Sequence, residues 1–396
     1  MRTPRTVLTV AFAMGFALAG VWCGAAMAQT AALPEDSVKA VILVYMRVGE
    51  EAEADSTLPT AQFEEHLTEL ERGGYHVRPL PEILEAIRNG TPLPAGTLAL
   101  TFDGAYRSTY RNAIPRLLEK KIPFTLFYAS DPLDQTLPDF MSWADLQTLA
   151  RYETVTLGVL PASASHITRL PAQGMISQLN KARQRFREKF GQEVNLLSYP
   201  FGEYSLTLKT LAHRQGFSAA FGLQSGALSQ KSDFYALPRF TMTEHYGDLE
   251  RFRMVAHALP LPVTELEPEN PALRSTQEWM TGFTLPPALA NESQNLSCFI
   301  AGEATPHIER LGARIEIRSI TPLTGIDKIR INCTMPGPAT DDQEAQWRWL
   351  GLLYYRPENT GLSSGPALTS TKQPAPLTDT AHRTATPPDE PPALLE

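Results

Sequence analysis

Basic residues are in short supply in this sequence, which has 35 Lys and Arg against 43 Asp and Glu and a formal net charge of −8. Proteins that follow the phosphates of a nucleic acid need the opposite balance, because phosphate contacts are made by positive side chains. No nucleic-acid partner is therefore predicted.

Long apolar runs are also rare, and the one near the start, Val7–Val21, has 15 residues, fewer than the roughly 20 that a helix needs to cross a bilayer. Arg2 and Arg5 precede the run and the small-residue site Ala26-Met27-Ala28 follows it, a layout typical of a secretory signal peptide. We expect residues 1–28 to be removed on export to the periplasm or the extracellular space, which would leave no transmembrane segment. A membrane anchor is the alternative.

Cysteine occurs three times, at Cys23, Cys298 and Cys333. Signal cleavage would remove the first and leave an even pair in an oxidising compartment, where disulfides form and persist. The two remaining cysteines stand inside the alternating runs "LSCFIAG" and "KIRINCTM". We therefore expect a disulfide that joins two strands as a staple between sheets, worth roughly 3–4 kcal/mol through the entropy of the loop that it closes.

Short apolar runs alternate with amphipathic stretches of helical period from about residue 40 to 259. This pattern predicts repeated β–α units around a parallel sheet over residues 38–260. The number of units fits either a (β/α) barrel or an open doubly wound sheet, and in both the working face lies at the carboxyl ends of the strands. Asp103, which ends the run "TLALTFD", falls at that face.

The chain beyond the β–α units has a different pattern. Proline and acidic residues mark a linker over residues 261–285, and alternating runs within residues 286–357 predict a small all-β, sandwich-like domain. Trp347 and Trp349 alternate in the last run and point the same way, either into the sandwich core or outwards as a sugar platform. Residues 358–396 are rich in Pro, Thr and Ser without an apolar period, which predicts disorder.

Five segments of the first domain carry a resemblance to a known family. In chain order they read "VILVYMRVG", "LALTFDGAYRSTYRNAIPRLLEKKIPFTLFYAS", "VTLGVLPASAS", "LLSYPFGEYS" and "YALPRFTM". Their order, spacing and strand-end placement resemble those of the NodB-type polysaccharide deacetylases. The resemblance implies a distorted (β/α) barrel that removes acetyl groups from N-acetylated glycans with a metal-bound water.

The residues that hold the metal in that family are substituted in this chain. The resemblance implies an aspartate and two histidines around a divalent ion such as zinc, with an open position for water. Gly104, Leu160 and Ala164 stand at those positions and offer no ligand atom, so no metal cofactor is expected. Met46 replaces the usual histidine of a Tyr-His-Arg run. No late Leu-x-Leu-His segment supplies an acid, since His257 lies on a helix-like stretch.

Two residues remain as candidates for a catalytic role. Asp103 matches the family's base, and its alternative is a strand-end aspartate that caps a turn or helix. His166, two residues past Ala164, is either a displaced metal ligand or an ordinary loop histidine. If the backbone keeps the family geometry, the triple substitution Gly104→Asp, Leu160→His and Ala164→His is expected to recruit a metal.

Substrate contacts are expected from residues that match groove positions of the family, because aromatic and guanidinium groups suit polyhydroxylated ligands. For each of these residues, the alternative is a purely structural role. The positions are Tyr45, Arg47, Tyr106, Tyr199, Phe201 and Arg239.

Two classes of function are in play. The resemblance implies an exported, metal-dependent deacetylase that acts on envelope or extracellular glycan. The substituted positions favour a catalytically inactive protein that binds glycan or serves as a scaffold. A third hypothesis, hydrolysis without metal by Asp103 and another strand-end carboxylate such as Glu153, requires the two carboxylates to face one substrate.

Overall fold

The computed structural model describes residues 34–273, 279–301, 306–319, 328–338 and 346–357. The predicted signal peptide, residues 1–28, and the predicted disordered tail, residues 358–396, lie outside these ranges. Across the described ranges, every helix is too short or too polar to traverse a lipid bilayer.

A curled, mostly parallel sheet with helices around it forms the first part of the chain. Its strands are β1 Lys39–Tyr45, β4 His76–Val77, β5 Thr97–Asp103, β6 Phe124–Tyr128, β7 Val155–Val159, β8 Leu196–Ser198, β9 Ala219–Phe221, β10 Leu228–Ser229 and β11 Phe240–Thr241. Its helices are α1 Thr60–Arg72, α2 Leu80–Asn89, α3 Arg107–Asn112, α4 Ile114–Glu119, α5 Ser130–Asp134, α6 Trp143–Leu149, α7 Ala172–Phe190, α8 Leu206–Arg214 and α9 Leu249–Ala256. The short strands β2 Arg47–Val48 and β3 Thr57–Leu58 pair with each other in a separate two-stranded sheet.

The strand order of this sheet is β10-β1-β5-β6-β7-β8-β9, with β11 beside β1 and β4 beside β5. Leu100 in β5 pairs with Leu43 of β1 on one side and with Phe124 of β6 on the other, both in parallel register. β10 runs antiparallel to β1. The sheet is the half-barrel form of the predicted distorted (β/α) barrel, and the fold class is confirmed.

Strand β5 shows why these residues form a central strand. All of its residues are buried, as expected for a parallel strand covered on both faces. Leu98, Leu100 and Phe102 pack in one apolar cluster, whereas Ala99 packs in another, because successive side chains of a strand point to opposite faces. The first charged residue of the run, Asp103, comes where the strand ends.

His66 is a fully buried histidine on α1. Its Nε2 lies 2.7 Å from the Gly247 carbonyl oxygen, which only accepts, so Nε2 carries the hydrogen. Nδ1 lies 3.1 Å from the Tyr45 hydroxyl, which donates to it. Burial lowers the pKa of His66 from 6.5 to about 4, since the charged imidazole would lose its hydration.

We expect His66 to make the fold acid-sensitive. The unfolded chain takes up the proton near pH 6.5 and the folded chain only near pH 4, so stability declines as the pH falls through this window, by up to about 3 kcal/mol. The His66→Gln variant keeps an amide donor and an acceptor but does not titrate. Urea unfolding at pH 7 and pH 4 should show a smaller difference for the variant than for the natural protein; equal differences would contradict the prediction.

Two antiparallel sheets form the second part of the chain, here called the β-domain. Its strands are β12 Leu259–Pro260, β13 Thr264–Glu267, β14 Met280–Thr284, β15 Ser297–Ile300, β16 His307–Leu311, β17 Arg314–Arg318, β18 Lys328–Pro336 and β19 Trp347–Tyr355, with a short helix α10 Pro287–Ala290. One sheet has the order β12-β19-β18-β15 and the other β13-β14-β17-β16; the short β12 pairs with β19 in parallel.

The structure contains the predicted disulfide, but it has strands within the predicted linker. Cys298 of β15 and Cys333 of β18 are bonded and directly opposed in register, which confirms the expected pairing. Both strands belong to one sheet, so the bond does not link two sheets as expected. The predicted linker, residues 261–285, instead contains β13 and β14. These strands were missed because Gly282 and the prolines around them interrupt the apolar alternation. In the structure β14 pairs with β17, and β13 pairs with β14.

The β-domain shares its packing with the barrel. Trp349 belongs to the apolar cluster of the barrel, and its ring meets that of Phe240 edge to face at 5.2 Å. The fully buried Arg348 donates two hydrogen bonds of 2.7 Å to the Asp36 carboxylate. Trp349 is therefore neither a sugar platform nor part of a separate sandwich core, because β19 lies against the barrel.

Candidate functional site

The carboxyl edge of the curled sheet brings together three polar residues. Asp103 is the last residue of β5, Ser198 is the last residue of β8, and Arg239 comes directly before β11. Parallel strands place their carboxyl ends on one edge of a sheet. This places Asp103 beside Ser198, and the long side chain of Arg239 reaches both of them from the start of β11.

Asp103 and Arg239 form a buried, two-point ion pair. Arg239 donates from Nη1 to Asp103 Oδ1 at 2.8 Å and from Nη2 to Oδ2 at 2.7 Å. Ser198 Oγ donates to the same Oδ2 at 2.6 Å and accepts from Arg239 Nη2 at 2.8 Å. Asp103 is 7% exposed and Arg239 is fully buried. Both carboxylate oxygens are thus engaged by fixed donors, in the bidentate geometry that makes such pairs strong.

Arg239 lies below the surface rather than in a groove wall. Its Nε donates to the Gly222 carbonyl oxygen at 3.0 Å, and its guanidinium carbon is 5.7 Å from each of the Phe127 and Phe221 rings. This side chain is directed at Asp103 and enclosed by aromatic rings, which favours the structural alternative for Arg239; its contact with substrate stays a prediction.

Tyr45 and Tyr199 also lie in the core and not in a groove. The Tyr45 ring stacks on Phe102 at 5.1 Å and is fully buried. The Tyr199 hydroxyl donates to the Tyr235 carbonyl oxygen at 3.0 Å, and its ring is fully buried as well. Burial raises the pKa of both hydroxyls. Their hydroxyls form hydrogen bonds within the core, which favours the structural alternative for both residues; substrate contact by them stays a prediction.

Tyr106 and Arg47 stack on each other next to Gly104. The guanidinium carbon of Arg47 lies 3.8 Å from the centre of the Tyr106 ring, and Nη1 donates to Glu50 Oε1 at 2.6 Å. Burial raises the pKa of the Tyr106 hydroxyl, and the charge of Arg47 partly offsets this effect. Both side chains are half-buried, and substrate contact by them stays a prediction.

The residues at the family's metal-ligand positions do not fit a metal ion. Gly104 has a φ of +106°, and a Cβ placed on it would lie 2.8 Å from Tyr106 Cδ2 and closer still to Cε2. Leu160 is buried among apolar side chains, and Ala164 has a left-handed φ of +53°. In the portion of the chain that the structure describes, no group of three or more His, Cys, Asp or Glu side chains is arranged to hold a metal.

This geometry predicts the failure of a grafted metal site. The triple variant Gly104→Asp, Leu160→His and Ala164→His should bind no stoichiometric zinc in calorimetry, because the Tyr106 ring occupies the space of the new aspartate and residue 104 has a backbone that side chains rarely adopt. Gly104→Asp alone should cost about 1–3 kcal/mol of stability. Adding Tyr106→Ala should recover part of that loss. One tightly bound zinc in the triple variant would contradict the prediction.

His166 lies in a second cluster, near the ends of β7 and β8. Its Nδ1 is 2.8 Å from Glu203 Oε2, and its ring stacks on Phe201 at 4.1 Å with an interplanar angle of 13°. Glu203 Oε1 is 3.2 Å from Lys328 Nζ of β18. Phe201 is 46% exposed despite its size. His166 thus contacts a carboxylate and an aromatic ring. Among the described residues, no set of metal ligands surrounds it.

Glu153 lies on the wrong edge for the metal-free hydrolysis hypothesis. It precedes β7, whereas Asp103 ends β5, and these strands run in parallel through β6. Asp103 aligns with Gly158 through Phe127, near the carboxyl end of β7, whereas Glu153 comes before the first residue of that strand. The carboxylates of Asp103 and Glu153 therefore do not face one glycosidic bond together.

Ser198, Glu203 and Lys328 are site residues that were not predicted from the sequence. Ser198 and Glu203 lie within "LLSYPFGEYS", the segment that carries part of the family resemblance. A polar residue at the end of an apolar strand was the available signal for Ser198. No signal in the sequence pointed to Lys328, because its partners are more than a hundred positions earlier in the chain.

Comparison with known proteins agrees with this architecture. Residues 90–220 match the family model described as polysaccharide deacetylase. The poly-β-1,6-N-acetyl-D-glucosamine N-deacetylase of Staphylococcus aureus is 23% identical over 195 residues, which cover 46% of this chain and 67% of that protein.

Two solved structures share the fold of the barrel. IcaB from Ammonifex degensii superimposes with a TM-score of 0.51 and 21% identity, covering 56% of this chain and 97% of that chain. The deacetylase PplD of Streptococcus pyogenes gives a TM-score of 0.50 and 18% identity, covering 54% of this chain and 96% of that one. The match over residues 90–220 and the half-barrel fold therefore agree with the predicted resemblance to the NodB-type polysaccharide deacetylases.

Proposed function

We propose that this protein is an exported, glycan-binding member of the family that does not carry out metal-dependent deacetylation. The observation that supports this most is the Asp103–Arg239 pair, because a carboxylate bound at both oxygens by a buried guanidinium and a hydroxyl is poorly placed to accept a proton. The glycine, leucine and alanine at the ligand positions support it further, since they have no donor atoms for a metal.

The proposed ligand is an N-acetylated glycan. The relative from Staphylococcus aureus is named for poly-β-1,6-N-acetyl-D-glucosamine, which makes oligomers of that polymer the first probe. Phe201, Tyr106 and Arg47 keep partly exposed aromatic and guanidinium groups near the carboxyl edge of the sheet, and such groups suit sugar rings with apolar faces and many hydroxyls.

Export is part of the proposal. The signal-like layout of residues 1–28 supports it, and the Cys298–Cys333 disulfide suits an oxidising compartment. The protein would then meet its glycan in the periplasm or outside the cell.

The test measures binding and hydrolysis in the same samples. Purified protein with added zinc chloride is mixed with β-1,6-linked N-acetylglucosamine oligomers or with chitooligosaccharides. We expect binding in calorimetry, no acetate release above a protein-free blank, and no stoichiometric zinc after desalting.

A matched pair of variants assigns the binding to the proposed edge. Phe201→Ala should weaken binding, whereas Leu311→Ala, which removes an exposed apolar side chain from β16, should not. Acetate release that chelation abolishes would overturn the inactive assignment. The absence of binding to both oligomers would overturn the glycan assignment.

A further inference from the structure

The β-domain contacts the barrel at two loops that follow the strands β8 and β9. Lys328 begins β18 and pairs in register with Tyr355 at the end of β19. The Tyr355 hydroxyl donates to the Tyr204 carbonyl oxygen at 3.0 Å, and Arg330 Nη1 donates to the Leu223 carbonyl oxygen at 2.8 Å. Side chains of the β-domain therefore bind the backbone of the barrel close to its carboxyl edge.

Lys328 makes the contact that bears on Phe201. Its Nζ donates to the Phe201 carbonyl oxygen at 3.2 Å and lies 3.2 Å from Glu203 Oε1. The same Nζ is 5.7 Å from the centre of the Phe201 ring. Glu203 in turn pairs with His166, which stacks on that ring. One lysine thus connects to the backbone of Phe201, to its ring, and to the carboxylate that orients its stacking partner.

Phe201 needs such support because its backbone is strained. Its φ and ψ are +58° and +10°, in the left-handed region that residues with a Cβ rarely adopt. Its side chain is half-exposed and gains less from burial than a core phenylalanine does. The stack with His166 and the bonds of Lys328 are the described contacts that hold the ring in place.

We propose that Lys328 is a positioning residue for glycan binding, through which the β-domain holds Phe201 in its binding orientation. This inference rests on the proposed function. An aromatic group that is already fixed before binding loses less conformational freedom when the sugar arrives. The β-domain is then a part of the binding edge rather than an independent module.

The binding test compares three lysine variants with a β-1,6-linked N-acetylglucosamine pentamer as the probe. Lys328→Met keeps the apolar stem but removes the charge, and we expect about threefold to tenfold weaker binding. Lys328→Arg should retain binding within about twofold, since a guanidinium supplies both hydrogen bonds. Lys181→Met removes an ion pair between Lys181 of α7 and Asp131 of α5; it is the matched control and should bind normally.

A double-mutant cycle separates positioning from a direct contact. If Lys328 acts through Phe201, Lys328→Met should have no further effect on affinity in the Phe201→Ala background. An equal loss in both backgrounds would overturn the proposal, because Lys328 would then contact the glycan by itself.

A glycan-independent measurement distinguishes this inference from the proposed function. 4-Fluorophenylalanine at position 201 should show a shifted or broadened fluorine resonance in Lys328→Met and an unchanged one in Lys181→Met, at equal melting temperature. An unchanged resonance in both would overturn the positioning role. If the resonance responds but the natural protein binds neither oligomer, the proposed function fails, and with it the role of Lys328 in glycan binding.

Discussion

Replacing Arg239 by methionine is expected to lower the free energy of unfolding by about 3–5 kcal/mol, because it leaves the Asp103 carboxylate buried without its charge partner. Arg239 is fully buried and supplies both of the charged hydrogen bonds that Asp103 receives. Urea unfolding at neutral pH, followed by circular dichroism, measures the loss.

Two controls test whether the charge pair is the cause. The double variant Asp103→Leu with Arg239→Met should recover part of the stability, since removing both charges avoids the unpaired one. Recovery should be incomplete because Ser198 loses both partners of its hydroxyl. Arg116→Met, which breaks an exposed pair with Glu64, should be near neutral. A loss from Arg239→Met no greater than that from Arg116→Met would contradict a structural role for the buried pair.

Removal of the Cys298–Cys333 disulfide is expected to cost about 4 kcal/mol, because the bond closes a loop between residues 35 positions apart and so restricts the unfolded chain. The double variant Cys298→Ala with Cys333→Ala should unfold at lower denaturant than the oxidised natural protein. Both apolar replacements fit sites that are already buried.

Reductant supplies the matched control for the disulfide. Dithiothreitol should lower the stability of the natural protein towards that of the double variant and leave the double variant unchanged. Because Trp349 packs in the barrel core, the barrel and the β-domain should lose stability together in a single transition. Two well-separated transitions, with the barrel unaffected, would contradict this coupling.

Local patterns of the sequence predicted much of the architecture. The run Thr97–Asp103 was predicted as a strand with its carboxylate at the working edge, and the strand β5 has those bounds. Phe63, Leu67 and Leu70 recur at helical spacing in the sequence and are buried on α1. Such patterns succeed because the periods of 2 and 3.6 residues reflect burial directly. They fail where glycine and proline interrupt them, as in β13 and β14.

The sequence by itself determined the succession of β–α units, the pairing of Cys298 with Cys333, and the lack of ligand atoms at Gly104, Leu160 and Ala164. Tertiary structure alone decided that Arg239 binds both oxygens of Asp103, that the Tyr106 ring covers Gly104, and that Lys328 reaches Phe201 from the β-domain. The physical reason is the range of each interaction. Burial imposes a period on neighbouring residues, whereas hydrogen bonds and ring contacts join residues that only the folding of distant strands brings together.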